Sequence, residues 1–199
     1  MEFAEVLRRR KMVRTYRPDP VGPQAVERIL DRARRAPSAG FSQGVAFLVL
    51  TEPDDVAAFW EAARDPGEDD WPATGLTVAP VVIVPLAGKH VYLDRYAEDD
   101  KGWSDRDENR WPVPYWVVDT SFAAMVILLA AVEEGLGALF FGLFGDGYER
   151  VKLAFGVPEE WEPIGVIVLG HPAEVDPVVS SAQTRPRRPV GEVVHRGRW

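Results

Sequence analysis

The 199-residue sequence predicts an α+β fold, with one sheet covered by helices on both faces. Three observations carry that expectation. Short, wholly apolar runs such as Val45 to Leu50 and Val81 to Pro85 have the length of buried strands. Segments of helical period lie among them, but without the strict alternation of a doubly wound parallel sheet. Hydrophobic residues make up 46% of the chain, enough for a real core at this length.

Taken in order, Glu2 to Arg10 reads as a short amphipathic helix with Phe3, Val6 and Leu7 on one face. After a turn at Arg17 to Pro20, Pro23 opens a helix to about Arg35 that buries Val26, Ile29, Leu30 and Ala33. Residues 36–44 form a loop of small and polar residues before the Val45 strand. A helix from Asp54 to Ala63 follows, with Val56, Phe59, Trp60 and Ala63 as its apolar stripe. Residues 65–77 read as a polar loop, and Val81 to Pro85 as the next strand. Residues 89–114 are acidic and carry Tyr92, Tyr96, Trp103 and Trp111. Aromatics scattered through charge are not expected to build a core. They suit a lid over a flat ligand or a subunit contact, an ordinary surface insertion being the alternative.

Asp119 or Thr120 is expected to cap a long apolar helix that ends at Glu134 before Gly135. With so few polar residues that helix should be central and partly covered by a second subunit. Ala138 to Leu143 reads as a strand, Asp146 to Phe155 as a helix closed by Gly156, and Ile164 to Leu169 as a strand. Residues 182–199 form a basic, proline-containing extension of one domain spanning 1–199, in which Val190, Val193 and Val194 suit an extended segment against another surface.

Composition narrows the function. The chain has no cysteine, which removes disulfides, thiolate metal sites and a cysteine nucleophile. Its net charge of −8 argues against general nucleic-acid binding. The longest apolar run, Phe122 to Val132, is too short to span a bilayer, and the basic N-terminus lacks a signal-peptide core; a soluble cytoplasmic protein is the expectation. His90, His171 and His195 have no metal-ligand spacing, and no nucleophile elbow or Walker loop is present. Gly135-Leu136-Gly137 closes a helix and enters a strand, the reverse of a Rossmann phosphate turn.

The charge is unevenly placed. Arg8, Arg9, Arg10, Lys11, Arg14 and Arg17 crowd one end; Arg185, Arg187, Arg188, Arg196 and Arg198 crowd the other. Two basic ends on an acidic chain suit either a shared anion or two solvated faces. Arg10, Lys11 and Arg14 follow a short helix, where arginine holds a phosphate bidentately and lysine adds a point charge. In residues 36–43, small side chains allow backbone to approach a flat ring, and Ser38 and Gln43 can hydrogen-bond its heteroatoms.

Together these segments resemble the nitroreductase family. That family opens with paired basic residues, a serine, any residue, a further cation and an aromatic; here the segment is Arg10-Lys11-Met12-Val13-Arg14-Thr15-Tyr16. Its Pro-Ser-x-x-Asn-Ser-Gln-Pro-Trp loop corresponds to Pro37-Ser38-Ala39-Gly40-Phe41-Ser42-Gln43-Gly44-Val45. The likeness continues through Ala79-Pro80, the Asp119 helix, Gly135-Leu136-Gly137, Phe140-Phe141-Gly142 and the tail ending Glu192-Val193-Val194-His195.

The resemblance implies a mostly antiparallel central sheet, an intertwined homodimer with a C-terminal extension, and non-covalent FMN between the subunits. It implies hydride transfer from NADH or NADPH through flavin N5 to a nitroaromatic, quinone or enone, in ping-pong order. Arg10, Lys11 and Met12 match phosphate ligands, joined by Arg185 and Arg187; Arg14 matches the cation at the pyrimidine edge. Pro37, Ser38 and Ala39, with Gln43, match a ring-facing loop from the other subunit, and Phe140, Phe141 and Gly142 match the strand end whose backbone lies at the ring. The cofactor carries the chemistry, so no catalytic acid or base is implied. Met12 stands where the family has serine, Phe41 where it has asparagine, and Gly44-Val45 where it has Pro-Trp, which leaves the acceptor open. The small-residue Gly-Phe loop also resembles that of a flavin-fragmenting, dimethylbenzimidazole-forming enzyme, and a third, non-enzymatic reading is a flavin-storing or ligand-sequestering protein.

Overall fold

The computed structural model describes residues 1–65, 75–175 and 181–199. Two stretches of the sequence reading lie partly outside them: much of the 65–77 loop, and the approach to the C-terminal extension.

The apolar runs form the sheet. β1 (Val45–Leu50), β2 (Val81–Ala87), β3 (Gly137–Phe141), β4 (Glu162–Pro163) and β5 (Val166–Gly170) are joined in the order β1-β2-β5-β3, with β4 paired to β2. All strand pairs are antiparallel. β2 and β5 are buried throughout, because helices cover both faces. On one face α3 (Pro53–Ala63) and α6 (Gly147–Phe155) pack with Phe59, Trp60 and Val151 against Val82, Val84, Leu139 and Val168. On the other, α2 (Pro23–Ala33) and α5 (Tyr115–Glu133) bury Val26, Ile29, Ile127 and Ala131 against Val81, Ile83, Ala138 and Ile167. Alternate residues of each strand serve the two layers, as the period of 2 requires.

Local chemistry sets the element ends. Proline opens α2 and α3, where its missing N–H costs nothing. Gly156 ends α6 in the left-handed region at φ 62°, a conformation that favours glycine. Arg150 of α6 donates to the carbonyls of Ala62 at 2.9 Å and Arg64 at 2.7 Å, satisfying the exposed end of α3. Glu134 accepts from Arg28 and Arg32, each at 2.6 Å, and so ties α2 to the end of α5. The hydrogen bonds from Arg28 and then Arg32 pull its carboxyl down to about 2.

Two sequence expectations need correction. α5 begins at Tyr115 with Pro114 at its cap, so Asp119 and Thr120 cap nothing; both are buried inside the helix. Trp116, Asp119, Thr120 and Ala123 lie at helical spacing on its inward face. Residues 89–114 do contribute to a core. α4 (Lys89–Ala97) carries Tyr92, 1% exposed, which packs with Trp116 and Ala87 and against Trp111 and Tyr115. Trp111 meets Tyr96 and Trp103 edge to face and Tyr96 is tilted against Trp103, with ring centroids 4.5–5.5 Å apart.

α5 meets the composition and length for a membrane crossing, yet half of it is buried inside the fold. Its outward stripe is apolar: Phe122 and Met125 are 47% and 48% exposed, and Val118 and Leu129 continue the line at helical spacing. α1 (Phe3–Arg9), which contacts α5, exposes Phe3 and Leu7 as well.

Candidate functional site

The basic N-terminal segment is attached to the sheet. Past α1, Met12 bridges Ala138 in parallel, and the Val13 N–H donates to the Ala138 carbonyl at 3.0 Å. Gly137 makes this approach possible, since a Cβ there would stand 2.8 Å from the Val13 side chain. Tyr16 then bridges Pro172, and its hydroxyl donates to the Val13 carbonyl at 2.7 Å. The segment thus runs from the start of β3 to the end of β5.

The cations are not equivalent. Arg8 and Arg9 both bind Glu5, and their hydrogen bonds, Arg8 first, pull its carboxyl down to about 2. Arg17 pairs with Asp19 at 2.8 Å. Arg14 turns back to donate to the Met12 carbonyl at 3.3 Å. Arg10 and Lys11 make no ion pair with the described residues, so this structure leaves their charges available to a ligand. A guanidinium and an ammonium on consecutive residues of a segment fixed to the sheet are groups able to bind a phosphomonoester.

Phe140 and Phe141 alternate across β3. Phe140 faces the α2–α5 layer, and Gly165 is bare because a side chain there would enter the Phe140 ring. Phe141 faces the α3–α6 layer and stacks on Trp60, with centroids 6.0 Å apart and planes 3° from parallel. Gly142 follows, exposed, so its backbone is accessible at the end of the strand.

The Pro37-to-Gln43 turn enters β1 at Val45, at the other edge of the sheet. Three strand spacings separate β1 from β3, about 14 Å at ~4.8 Å each. Val45 lies at the same end of the sheet as Phe141, whereas Met12 sits near the start of β3. One chain therefore joins Arg10, Lys11, Met12 and Arg14 to β3, and holds Pro37, Ser38, Ala39 and Gln43 elsewhere. Ser38 and Gln43 are tied to each other: the Gln43 N–H donates to Ser38 Oγ at 2.9 Å. Arg185 and Arg187 lie in the exposed tail beside α7 (Ser181–Thr184), where Arg188 pairs with Glu192 at 3.1 Å.

Sequence reasoning missed the residues behind the turn. Asp119 Oδ2 accepts from the Ala39 N–H and the Tyr92 hydroxyl, each at 2.8 Å. Burial first, then the hydrogen bond to that carboxylate, push the Tyr92 phenol well above its ordinary range. Arg95 donates to the Gly40 carbonyl at 3.0 Å. The spacing of Tyr92 and Tyr96 on one face of α4 was the available signal. A separate cleft of about 410 Å³ is lined by Lys89, His90, Leu93, Arg106 and acidic residues near β4, and none of the predicted site residues line it.

Comparison with known proteins agrees with this architecture. The family model described as "Nitroreductase family" matches residues 7–171. A Methanothermobacter thermautotrophicus protein, whose name carries NADH dehydrogenase and NAD(P)H nitroreductase, is 29% identical over 182 residues, 87% of this chain and 79% of its own. An FMN-dependent nitroreductase from Clostridium difficile R20291 superposes with a TM-score of 0.69 at 21% identity, covering 98% of each chain. A structure solved in complex with FMN, from Exiguobacterium sibiricum 255-15, superposes with a TM-score of 0.74 at 18% identity over 98% of this chain and 97% of that one. With the family model spanning 7–171 and the fold shared throughout, the chain belongs to the nitroreductase family.

Proposed function

We propose that the protein is an FMN-dependent oxidoreductase that passes hydride from NADH or NADPH to a conjugated acceptor, such as a nitroaromatic, quinone or enone, and works as a homodimer. The observation that carries this reading is the division of the site. The cations at Arg10 and Lys11 lie on the β3 side, and the ring-facing turn lies on β1, about 14 Å across the sheet. The two sets stand at opposite edges and opposite ends of the sheet, and a second chain that supplies one of them would bring both onto a ligand with a phosphate at one end and a planar ring at the other. The apolar stripe of Val118, Phe122, Met125 and Leu129 offers the surface for that second chain.

FMN, when bound, supplies the hydride-accepting and hydride-donating ring. The chain's own residues do the rest. Arg10 and Lys11 hold the phosphate, aided by Arg185 and Arg187 from the tail and by backbone at Met12. Arg14 places positive charge by the pyrimidine edge, which favours added electrons there. The backbone at Gly142, beyond Phe140 and Phe141, offers an N–H to the ring from an exposed strand end. Pro37, Ser38 and Ala39 of the other subunit, with Gln43, cover the ring with small groups and leave room for a flat acceptor. No general acid or base from this chain is required, because the cofactor carries the chemistry.

Steady-state kinetics test the reading. NADH and NADPH, each varied against a quinone, a nitroaromatic and an enone, should give turnover with parallel double-reciprocal lines for at least one pair. Intersecting lines would contradict the ping-pong order. No oxidation of either nicotinamide by the FMN-loaded protein with any acceptor would overturn the oxidoreductase assignment.

A further inference from the structure

The turn before β1 is strained. Gly40, Phe41 and Gln43 have φ values of 60°, 54° and 56°, so two non-glycine residues within three positions occupy the left-handed region. That conformation is unfavourable for L-residues and persists only where the surroundings over-determine the backbone. Phe41 gains no burial in return within this chain, being 74% exposed.

The surroundings do over-determine it, and they come from far along the chain. The Asp119 carboxylate, on a residue 6% exposed, fixes the Ala39 N–H at 2.8 Å from across 80 residues. The Tyr92 hydroxyl donates to the same oxygen at 2.8 Å and so holds that carboxylate in place. Arg95 grips the Gly40 carbonyl at 3.0 Å, and the Gly88 N–H takes the Gly44 carbonyl at 2.9 Å. Bare glycines admit the scaffold: a Cβ on Gly40 would stand 2.7 Å from the Tyr96 ring, and one on Gly44 2.5 Å from Tyr92. Both flanks of the strained segment are thus set from residues 88–119, and strain held this firmly clusters at ligand-binding positions.

We propose that Asp119, with Tyr92, is a positioning residue for flavin binding, fixing the Ser38-to-Gln43 turn in the strained form that presents Ala39 and Phe41 to the ring and to the incoming acceptor. This rests on the reading that the turn faces FMN. Asp119 touches neither cofactor nor acceptor. It acts through the Ala39 backbone, and the aromatic segment 89–114 is the buttress that carries it.

The test compares Asp119→Ala, Asp119→Asn and Tyr92→Phe as full chains, by FMN affinity, by the visible absorption and circular dichroism of bound flavin, and by thermal unfolding without FMN. Asp119→Ala frees the turn, and its FMN dissociation constant should rise about tenfold or more, with loss of the wild-type visible dichroism. Asp119→Asn should recover most of the affinity and the dichroic band, because its amide oxygen can accept from both Ala39 and Tyr92. Tyr92→Phe should fall between them. A purely structural carboxylate would lower the unfolding temperature and leave flavin affinity and spectrum unchanged in Asp119→Ala, and that result overturns the proposal. Should Asp119→Ala not fold, wild-type affinity and spectrum in Tyr92→Phe overturn it equally. Wild-type protein that takes up no FMN overturns the flavin reading itself, a failure distinct from either variant's.

Discussion

Arg10→Ala raises the FMN dissociation constant by about 10- to 150-fold while leaving the fold intact. The range follows from ~1.5–3 kcal/mol for a charge-assisted hydrogen bond to phosphate, at ~1.4 kcal/mol per factor of ten. Arg10 is the residue to test because the arginines around it are otherwise engaged, Arg8 and Arg9 with Glu5 and Arg17 with Asp19, and because a guanidinium can hold phosphate bidentately where Lys11 adds a point charge. It stands at the end of α1, two residues before the Met12 bridge to Ala138, so its backbone is anchored while its head group is not. Fluorescence titration of apoprotein with FMN checks the effect. Riboflavin, which lacks the phosphate, serves as control: its weaker binding should be indifferent to Arg10. Equal loss for both ligands would mean that Arg10 acts on the fold and not on the phosphate.

The second large effect is expected at the outward face of α5. Phe122→Arg combined with Met125→Arg should convert the proposed dimer to a monomer and abolish FMN binding with it. Both side chains are about half exposed in the single chain, so the substitutions demand little rearrangement of the chain itself. In a dimer interface they would bury two unpaired cations per chain, at several kcal/mol each. Sedimentation equilibrium gives the oligomeric state, and circular dichroism confirms the fold. A folded monomer that still binds FMN with wild-type affinity would show that one chain completes the site, against the division described here. Persistence of the dimer would move the interface elsewhere.

The fold was legible where local chemistry decides it. Continuous apolar runs gave away β1, β2 and β5, and proline starts and glycine stops marked α2, α3 and α6. The reading of 89–114 failed because aromatic residues among charges look solvated in a linear sequence. Here they fold back on one another and bury Tyr92 against Trp116, an arrangement that depends on pairing across 24 residues. Asp119 was misread for a related reason. A polar residue near the start of an apolar helix resembles a cap, and only the tertiary placement of Ala39 and Tyr92 shows that it faces inward.

The candidate site was legible to different depths. Arg10 and Lys11 stood out by charge, and the structure adds which of the neighbouring cations are already neutralised. The 36–43 loop stood out by its small residues. Its strain at Phe41 and Gln43 did not, since left-handed backbone at non-glycine positions has no sequence signature. The separation of the two half-sites across the sheet follows only from the strand order, which sequence periodicity does not encode.

The central claim is one FMN shared across two chains, and the most direct measurement is its stoichiometry in the assembled protein. Apoprotein is saturated with FMN and sedimented with detection in both the protein and flavin absorption bands. The expected result is a single yellow species of two chains carrying two FMN molecules, with flavin released on denaturation. A colourless protein after incubation with excess FMN, or flavin bound to a monomer, would contradict the account.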